Sequence, residues 1–260
     1  MNKTKLKTSL FIVSSFLIPA IMMFFIYLSQ GIYWNSDTSP LLGDGYHQYV
    51  IFDTTLRNIL HGTDSLFYSF QSGLGINFYA LSSYYLGSFF SPLVFFFNAQ
   101  SMPNAVYLIT LLKFGAIGLS TYISLHGMFS KIPRSLVLTL STSFALMSFA
   151  ISQIEIKTWL DVFILAPLIL YGFKKLIYNE GDILYFISLT SLFIQNYYFG
   201  FMMSIFLILW YLTQLSWNIK RIGKRFFHFV IVSLLSVITS LVMLYPTFLD
   251  LRTHGESFSK

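Results

Sequence analysis

An aspartate stands between two glycines in "SPLLGDGYHQYVIFDTTLRNILHG", residues 39–62 of a chain in which only 10% of residues are charged. Asp44 is followed closely by His47, Asp53, Arg57 and His61. Gly43 and Gly45 leave the backbone around Asp44 free to turn sharply and open to close approach by another molecule. A carboxylate so placed at a water–lipid boundary can act as a general base. It would take the proton from an acceptor hydroxyl whose donor arrives on a lipid phosphate. An Asp here also suits a helix N-cap or a turn, and the residues alone leave both roles open.

Other ionisable residues could complete such a site. Asp161, in "KTWLD", begins an apolar run. It reads either as a second acid facing Asp44, positioning an acceptor or a cation, or as a helix N-terminal acid beside the interface anchor Trp159. Lys113 lies well inside the apolar "LITLLKFGAIGLS", where an ammonium costs at least ~2.5–3.5 kcal/mol on insertion scales. It is expected to snorkel or to line a cavity, paired with a lipid phosphate or an acid. Arg57 could hold a phosphate bidentately, or merely occupy the polar face of a helix. His47 joins Arg57, Lys113 and Asp161 as a substrate-binding candidate. His47 and His61 lack metal-ligand spacing, so no His-based metal site is expected. Glu155 and Lys157 read as solvated loop residues. Gln195, Asn196, Tyr197 and Tyr198 read as a helix–helix turn that could also touch sugar hydroxyls.

The elements that must position these groups are membrane helices. The chain has 260 residues, 55% hydrophobic, with 29 Phe, 17 Tyr and a mean hydropathy of +0.68, which gives an all-α integral membrane class. The formal charge of +6 does not mark a nucleic-acid binder, because the basic residues form short clusters between apolar runs. There is no cysteine, hence no disulfide or thiolate metal site. Lys3, Lys5 and Lys7 precede an apolar run too long for a signal peptide and without a cleavage site, so an uncleaved anchor with a cytoplasmic amino terminus is expected.

Seven spans are expected at about 8–29, 104–127, 134–152, 160–178, 182–196, 198–215 and 226–246. The run at 79–98 is assigned as non-crossing. Eleven of the sixteen Lys and Arg then fall on the cytoplasmic side: Lys3, Lys5, Lys7, Lys131, Arg134, Lys174, Lys175, Lys220, Arg221, Lys224 and Arg225. Gly87 and Pro92 interrupt that run and make a re-entrant or surface-lying hairpin plausible. Asp37, Asp44, Asp53, Asp64, Glu155, Asp161, Asp250 and Glu256 are placed outside, against Glu180 and Asp182 inside. The first outer loop, about 30–103, is the largest. Within it Tyr49, Val50, Phe52, Leu56, Ile59 and Leu60 recur at helical spacing, as a short amphipathic helix on the membrane surface ended by Gly62. Gly73, Gly75 and Gly87 loosen the segment that follows, and its lone GxG is not a phosphate loop. No repeat and no linker divides the chain. The ending "LDLRTHGESFSK" reads as part of a longer protein.

In order, "GDGYHQY", "LRNILHG", "SLFYSFQSGLGINF", "YYLGS", "YLITLLK", "WLDVFILAPLILYG" and "NYYFGFM" resemble the bacterial YfhO family of membrane proteins, from about Leu42 to Tyr211. The resemblance implies a GT-C type glycosyltransferase, with a multi-span helical bundle and juxtamembrane helices in its first outer loop. Its donor would be a polyprenyl-phosphate sugar, its acceptor a cell-wall polymer such as lipoteichoic acid, and its active face extracellular, with a divalent cation left open. Asp44 matches by position the acidic residue that follows the first span. A lipid or polymer transporter and a non-catalytic membrane scaffold are the alternatives. The concentration of polar groups on one face disfavours a transport path.

Overall fold

The structure, a computed structural model, describes residues 3–71, 75–217 and 222–256, with side chains between Thr8 and Thr253. Gly73, Lys220 and Arg221 lie outside the described residues, as do the side chains of Lys3, Lys5, Lys7 and Glu256. The helices, in order, are α1 Lys3–Ser29, α2 Val50–Leu60, α3 Phe78–Tyr85, α4 Met102–Met128, α5 Arg134–Ala145, α6 Ser148–Ser152, α7 Lys157–Tyr178, α8 Ile183–Gln195, α9 Tyr197–Trp217 and α10 Phe226–Glu256. Apolar runs in lipid must satisfy their own backbones, which the helix does within one segment. Among the described residues the only β pairing is an isolated bridge between Ser69 and Ile76.

Among the described residues five stretches are long and apolar enough to cross a bilayer: Thr8–Ser29, Met102–Met128, Arg134–Ser152, Tyr197–Trp217 and Gly223–Thr253. The chain is therefore a multi-pass membrane protein. The other two expected spans are helices that differ in kind. α7 has 22 residues but carries Lys157, Asp161, Lys174 and Lys175. α8 has 13 residues, a rise of about 20 Å.

Hydrogen bonds fix which helix ends adjoin. Arg134 donates to Thr8 Oγ1 (2.9 Å), Lys174 to the Met128 carbonyl and Arg225 to the Asn179 side chain. His228 lies 3.3 Å from the Asp182 carboxylate. These contacts gather the starts of α1, α5 and α10 with the ends of α4 and α7 into one basic end. At the other end Asn104 Nδ2 donates to Asn35 Oδ1 (2.6 Å), and the Asn35 N–H donates to Asn104 Oδ1 (3.0 Å). This joins the end of α1 to the start of α4 and defines the loop face. α4 is the axial helix: 61% of its apolar stretch is buried, against 17–22% in the other four. It packs on α1, α5 and α7. α8 runs parallel to α10, joined by Tyr185 OH to Ser233 Oγ (2.8 Å) and by Ser240 Oγ donating to the Thr190 carbonyl (3.2 Å).

Three features of the loop face correct or sharpen the expectations. The long run 182–215 breaks at Asn196, which is extended and whose Oδ1 accepts the Phe199 N–H at 3.1 Å as a cap for α9. Residues 79–98 form the eight-residue α3 and a 3₁₀ turn at Ser91–Phe96, neither long enough to span a bilayer. Between them Gly87 lets the chain touch α8, because a Cβ there would lie 2.6 Å from Gln195 Cα and from the Ile194 carbonyl oxygen. The last helix does not stop near 246. It continues through Pro246 to Glu256. Proline cannot donate to the carbonyl four residues back. That carbonyl, on Val242, instead accepts the Tyr79 hydroxyl at 2.9 Å.

Candidate functional site

Asp44 sits at the loop face on a turn built for it. Gly43 has φ +45°, in the left-handed region that favours glycine, and a Cβ there would lie 2.4 Å from Glu155 Oε2. Gly45, by contrast, is helical and buried, and it opens a π-helical turn, Gly45–Tyr49, continuous with α2. Only one of the two glycines therefore uses its conformational freedom; a Cβ on the other would meet the Glu155 carbonyl oxygen at an ordinary contact distance of 3.7 Å. Asp44 occupies the N-cap position, yet its side chain makes no cap hydrogen bond and is exposed. The cap role that its residue type suggested is not used.

The π turn is pinned from below. Tyr49 is buried, and its hydroxyl shares a hydrogen bond with Thr158 Oγ1 at 2.9 Å. Burial above all pushes the Tyr49 phenol up, with the Thr158 bond acting against it, and burial does the same to Tyr85, aided by Tyr84 and Asp44. Both phenols stay protonated at neutral pH. Lys157 lies 5.5 Å from the Tyr49 ring centroid and donates to both oxygens of Asp53. One helical turn on, Asp161 accepts from Lys113 Nζ (2.6 Å) and Ser88 Oγ (2.9 Å), and Lys113 also donates to the Lys157 carbonyl (2.8 Å). All four charged side chains are at most 3% exposed. Two lysines and two aspartates thus form a neutral, dehydrated network. It ties α2 (Asp53) and the segment after α3 (Ser88) to α4 (Lys113) and α7 (Lys157, Asp161).

These placements revise several readings. α2 is not a helix lying with its polar face in water, because Asp53 points into the protein. Lys157 is not a solvated loop residue but the buried first residue of α7. Lys113 has the acid partner expected of an intramembrane ammonium, and no lipid phosphate reaches it, since it is 0% exposed. Asp161 faces Lys113 rather than the surface that carries Asp44. Arg57 donates from Nε to the Phe97 carbonyl (3.0 Å) and from its guanidinium to Asn58 Oδ1 (3.1 Å), which holds the 3₁₀ turn against α2. His47 is exposed three residues from Asp44 and edge-on to the Tyr46 ring. Among the described residues no three His, Asp or Glu side chains are grouped to share one ion.

Among the described residues two cavities lie near the loop face, the first of them beside the Asp44 turn. One, of about 210 Å³, lies between α1 and α6 and includes Met23, Tyr27, Leu42, Ile154 and Glu155. The other, of about 320 Å³, lies between α3 and α10 and includes Tyr84, Tyr85, Tyr197, Thr247 and Asp250. Tyr85, on the wall of the second cavity, packs its ring on Tyr49 (5.4 Å) and Tyr84 (4.9 Å). The sequence reading missed Asp53, Lys157 and Ser88 as a unit with Lys113 and Asp161. One signal was available: Lys157 and Asp161 are four residues apart, hence on one face of a helix.

No curated protein and no solved structure matches the chain. The family described as bacterial membrane protein YfhO matches residues 14–260. That match covers nearly the whole bundle and every residue of the loop-face site, and on this basis the chain belongs to the YfhO family of bacterial membrane proteins.

Proposed function

We propose that this chain is a membrane glycosyltransferase that moves a sugar from a polyprenyl-phosphate donor to a hydroxyl of a cell-envelope polymer of the lipoteichoic acid kind. In this reading the helices make seven crossings of the GT-C type, with the basic end in the cytosol and the loop face outside. The observation that carries the proposal is Asp44: an exposed carboxylate without a capping role, on a glycine turn in the left-handed region, next to a buried ion-pair network. Membership in the YfhO family fits a glycosyltransferase-type role.

Asp44 takes the proton of the acceptor hydroxyl as its oxygen attacks the anomeric carbon. The bond from that carbon to the phosphate oxygen breaks, and polyprenyl phosphate leaves with the electron pair. A single displacement inverts the anomeric centre. Phosphate is a good leaving group and needs no general acid. Lys113 and Arg57 engage protein acceptors, so their part is to hold the loop in place, and Asp161 acts with them by positioning. His47, exposed beside Asp44, is left to contact substrate, and a divalent cation would come with the phosphate. A positioned base contributes roughly 10²–10⁴-fold. Asp44→Asn should therefore cut transfer from a radiolabelled polyprenyl-phosphate sugar by at least about a hundredfold, with an unchanged thermal midpoint. Full activity in that variant would refute the base assignment. Movement of the labelled lipid across vesicles without sugar transfer would identify a transporter instead.

A further inference from the structure

We infer that the cavity between α1 and α6 holds an uncharged polyol unit of the acceptor, with Glu155 as the carboxylate that receives one of its hydroxyls beside Asp44. The inference rests on the transferase reading and deepens it by placing the acceptor.

The cavity is joined to Asp44 through the chain itself. Leu42, two residues before Asp44, lines it. Gly43 turns in the left-handed region at φ +45°, and the space that a side chain on it would fill is taken by Glu155 Oε2. The Glu155 carboxylate therefore lies against the residue that precedes Asp44. It is half-buried rather than solvated. Among the described residues it has no hydrogen bond and no ion pair. The lysine nearest to it in sequence, Lys157, is held by Asp53, and Lys113 is held by Asp161. Taking a carboxylate partly out of water without a partner costs free energy, and a ligand hydroxyl that donates to it offsets part of that cost.

The rest of the lining shows what accompanies that hydroxyl. Met23 and Ile32 are buried and form an apolar floor, whereas Gln30, Leu42 and Ser152 are exposed at the mouth. Apolar walls with a few polar groups are the usual make-up of small-ligand sites. Here they suit the C–H backbone of a polyol, whose hydroxyls reach Glu155 and the Gln30 amide, a group that both donates and accepts. The volume of about 210 Å³ matches roughly seven waters at ~30 Å³ each, which is room for one polyol unit and not for a donor with its lipid. No Lys, Arg or His lines the cavity. A phosphate entering it would face an ionised carboxylate with no compensating cation, so the phosphate of the donor stays outside. Glu155 accepts from one hydroxyl of the unit and leaves a neighbouring hydroxyl to Asp44.

The test uses the full chain in lipid nanodiscs and reads binding without turnover. The chain lacks cysteine, so Ser152→Cys, on the cavity lining, gives a single thiol whose alkylation by N-ethylmaleimide reports occupancy. Ser65→Cys, exposed in the outer loop, is the control for effects unrelated to the cavity. Glycerol and xylitol are the neutral probes, and glycerol 3-phosphate is the charged one. At least one neutral polyol should slow alkylation of Ser152→Cys threefold or more at saturation and leave Ser65→Cys unchanged. Glycerol 3-phosphate should need at least tenfold higher concentration for the same protection. Leu42→Trp, which fills the mouth from a position 66% exposed, should abolish the protection. Glu155→Gln, which removes the charge and keeps the shape, should erase the preference for the neutral probe. An unchanged thermal midpoint in both variants separates lost binding from lost fold. No protection by either neutral polyol, protection that survives Leu42→Trp, or a preference that survives Glu155→Gln overturns the site even if the wild type transfers sugar. Protection that obeys both variants in a chain that transfers nothing keeps the polyol site and refutes the transferase reading. In an active chain Glu155→Gln should raise KM for acceptor tenfold or more with KM for donor unchanged, and a rise for donor alone would overturn the assignment to the acceptor.

Discussion

At the scale of single residues, the loop-face site depends on which side chains are already engaged. Lys113, Asp161, Arg57, Asp53 and Lys157 all have protein partners, whereas Asp44 is exposed and caps nothing. A charge held by a protein partner organises the fold, and an uncommitted one is available to a ligand. Gly43 is the most vulnerable neighbour. Gly43→Ala meets a backbone penalty of roughly 1–2 kcal/mol for a left-handed L-residue, plus the contact with Glu155 Oε2. It should lower the thermal midpoint and reduce transfer. The double variant Gly43→Ala/Glu155→Ala should recover only the steric part, so a full recovery would show that the backbone is not strained there. Tyr49→Phe removes one bond to Thr158 and should cost about 0.5–1.5 kcal/mol, measured by denaturation in detergent.

At the scale of elements, the ion-pair network joins the loop to the bundle. α2 is short, and its apolar contacts lie mainly with the 3₁₀ turn, α3 and the start of α4, so Asp53–Lys157 is its main polar tie to α7. Removing one partner leaves a buried charge without compensation, at about 3–5 kcal/mol. Replacing both by apolar residues of similar size is far milder. Asp53→Leu alone and Lys157→Met alone should each strongly destabilise the chain, and the double variant should restore most of the midpoint. If the network also positions Asp44, that double variant should keep its fold while kcat falls more than KM changes. Equal stability of the single and double variants would remove the network from the account. The same reasoning covers Lys113 with Asp161, where Ser88 adds the segment after α3 to the same tie.

At the scale of the molecule, the charges and the helix ends agree. Every described member of the basic clusters lies at the end opposite the loop face, through the contacts of Arg134, Lys174 and Arg225. The chain lacks cysteine, so single reporters can be placed freely. Ser65→Cys, exposed on the loop face, should react with a membrane-impermeant maleimide in intact cells. Lys131→Cys, exposed at the basic end, should react only after permeabilisation. The reverse pattern would turn the protein over and remove Asp44 from the outer surface. α8, only 13 residues long, reaches the loop face beside Gly87, and a local thinning of the bilayer there would bring lipid headgroups toward the site.

Sequence alone determined what depends on local composition and spacing. The apolar runs dictated helices, because lipid offers no partner to an open backbone. Gly87 and Pro92 broke the run at 79–98, and Gln195 and Asn196 marked where the long run 182–215 divides. Asp44 stood out by its glycines and its place after the first span. What sequence could not show was which charges meet. Asp53 and Lys157 are 104 residues apart and Lys113 and Asp161 are 48 apart, and nothing in local polarity says that an acid on an amphipathic helix turns inward. The same holds for α10, which runs on through Pro246 while its Val242 carbonyl accepts the hydroxyl of Tyr79, a partner 163 residues away in sequence. Burial, partner choice and the walls of a cavity come from packing between distant segments, and only the tertiary structure decides them.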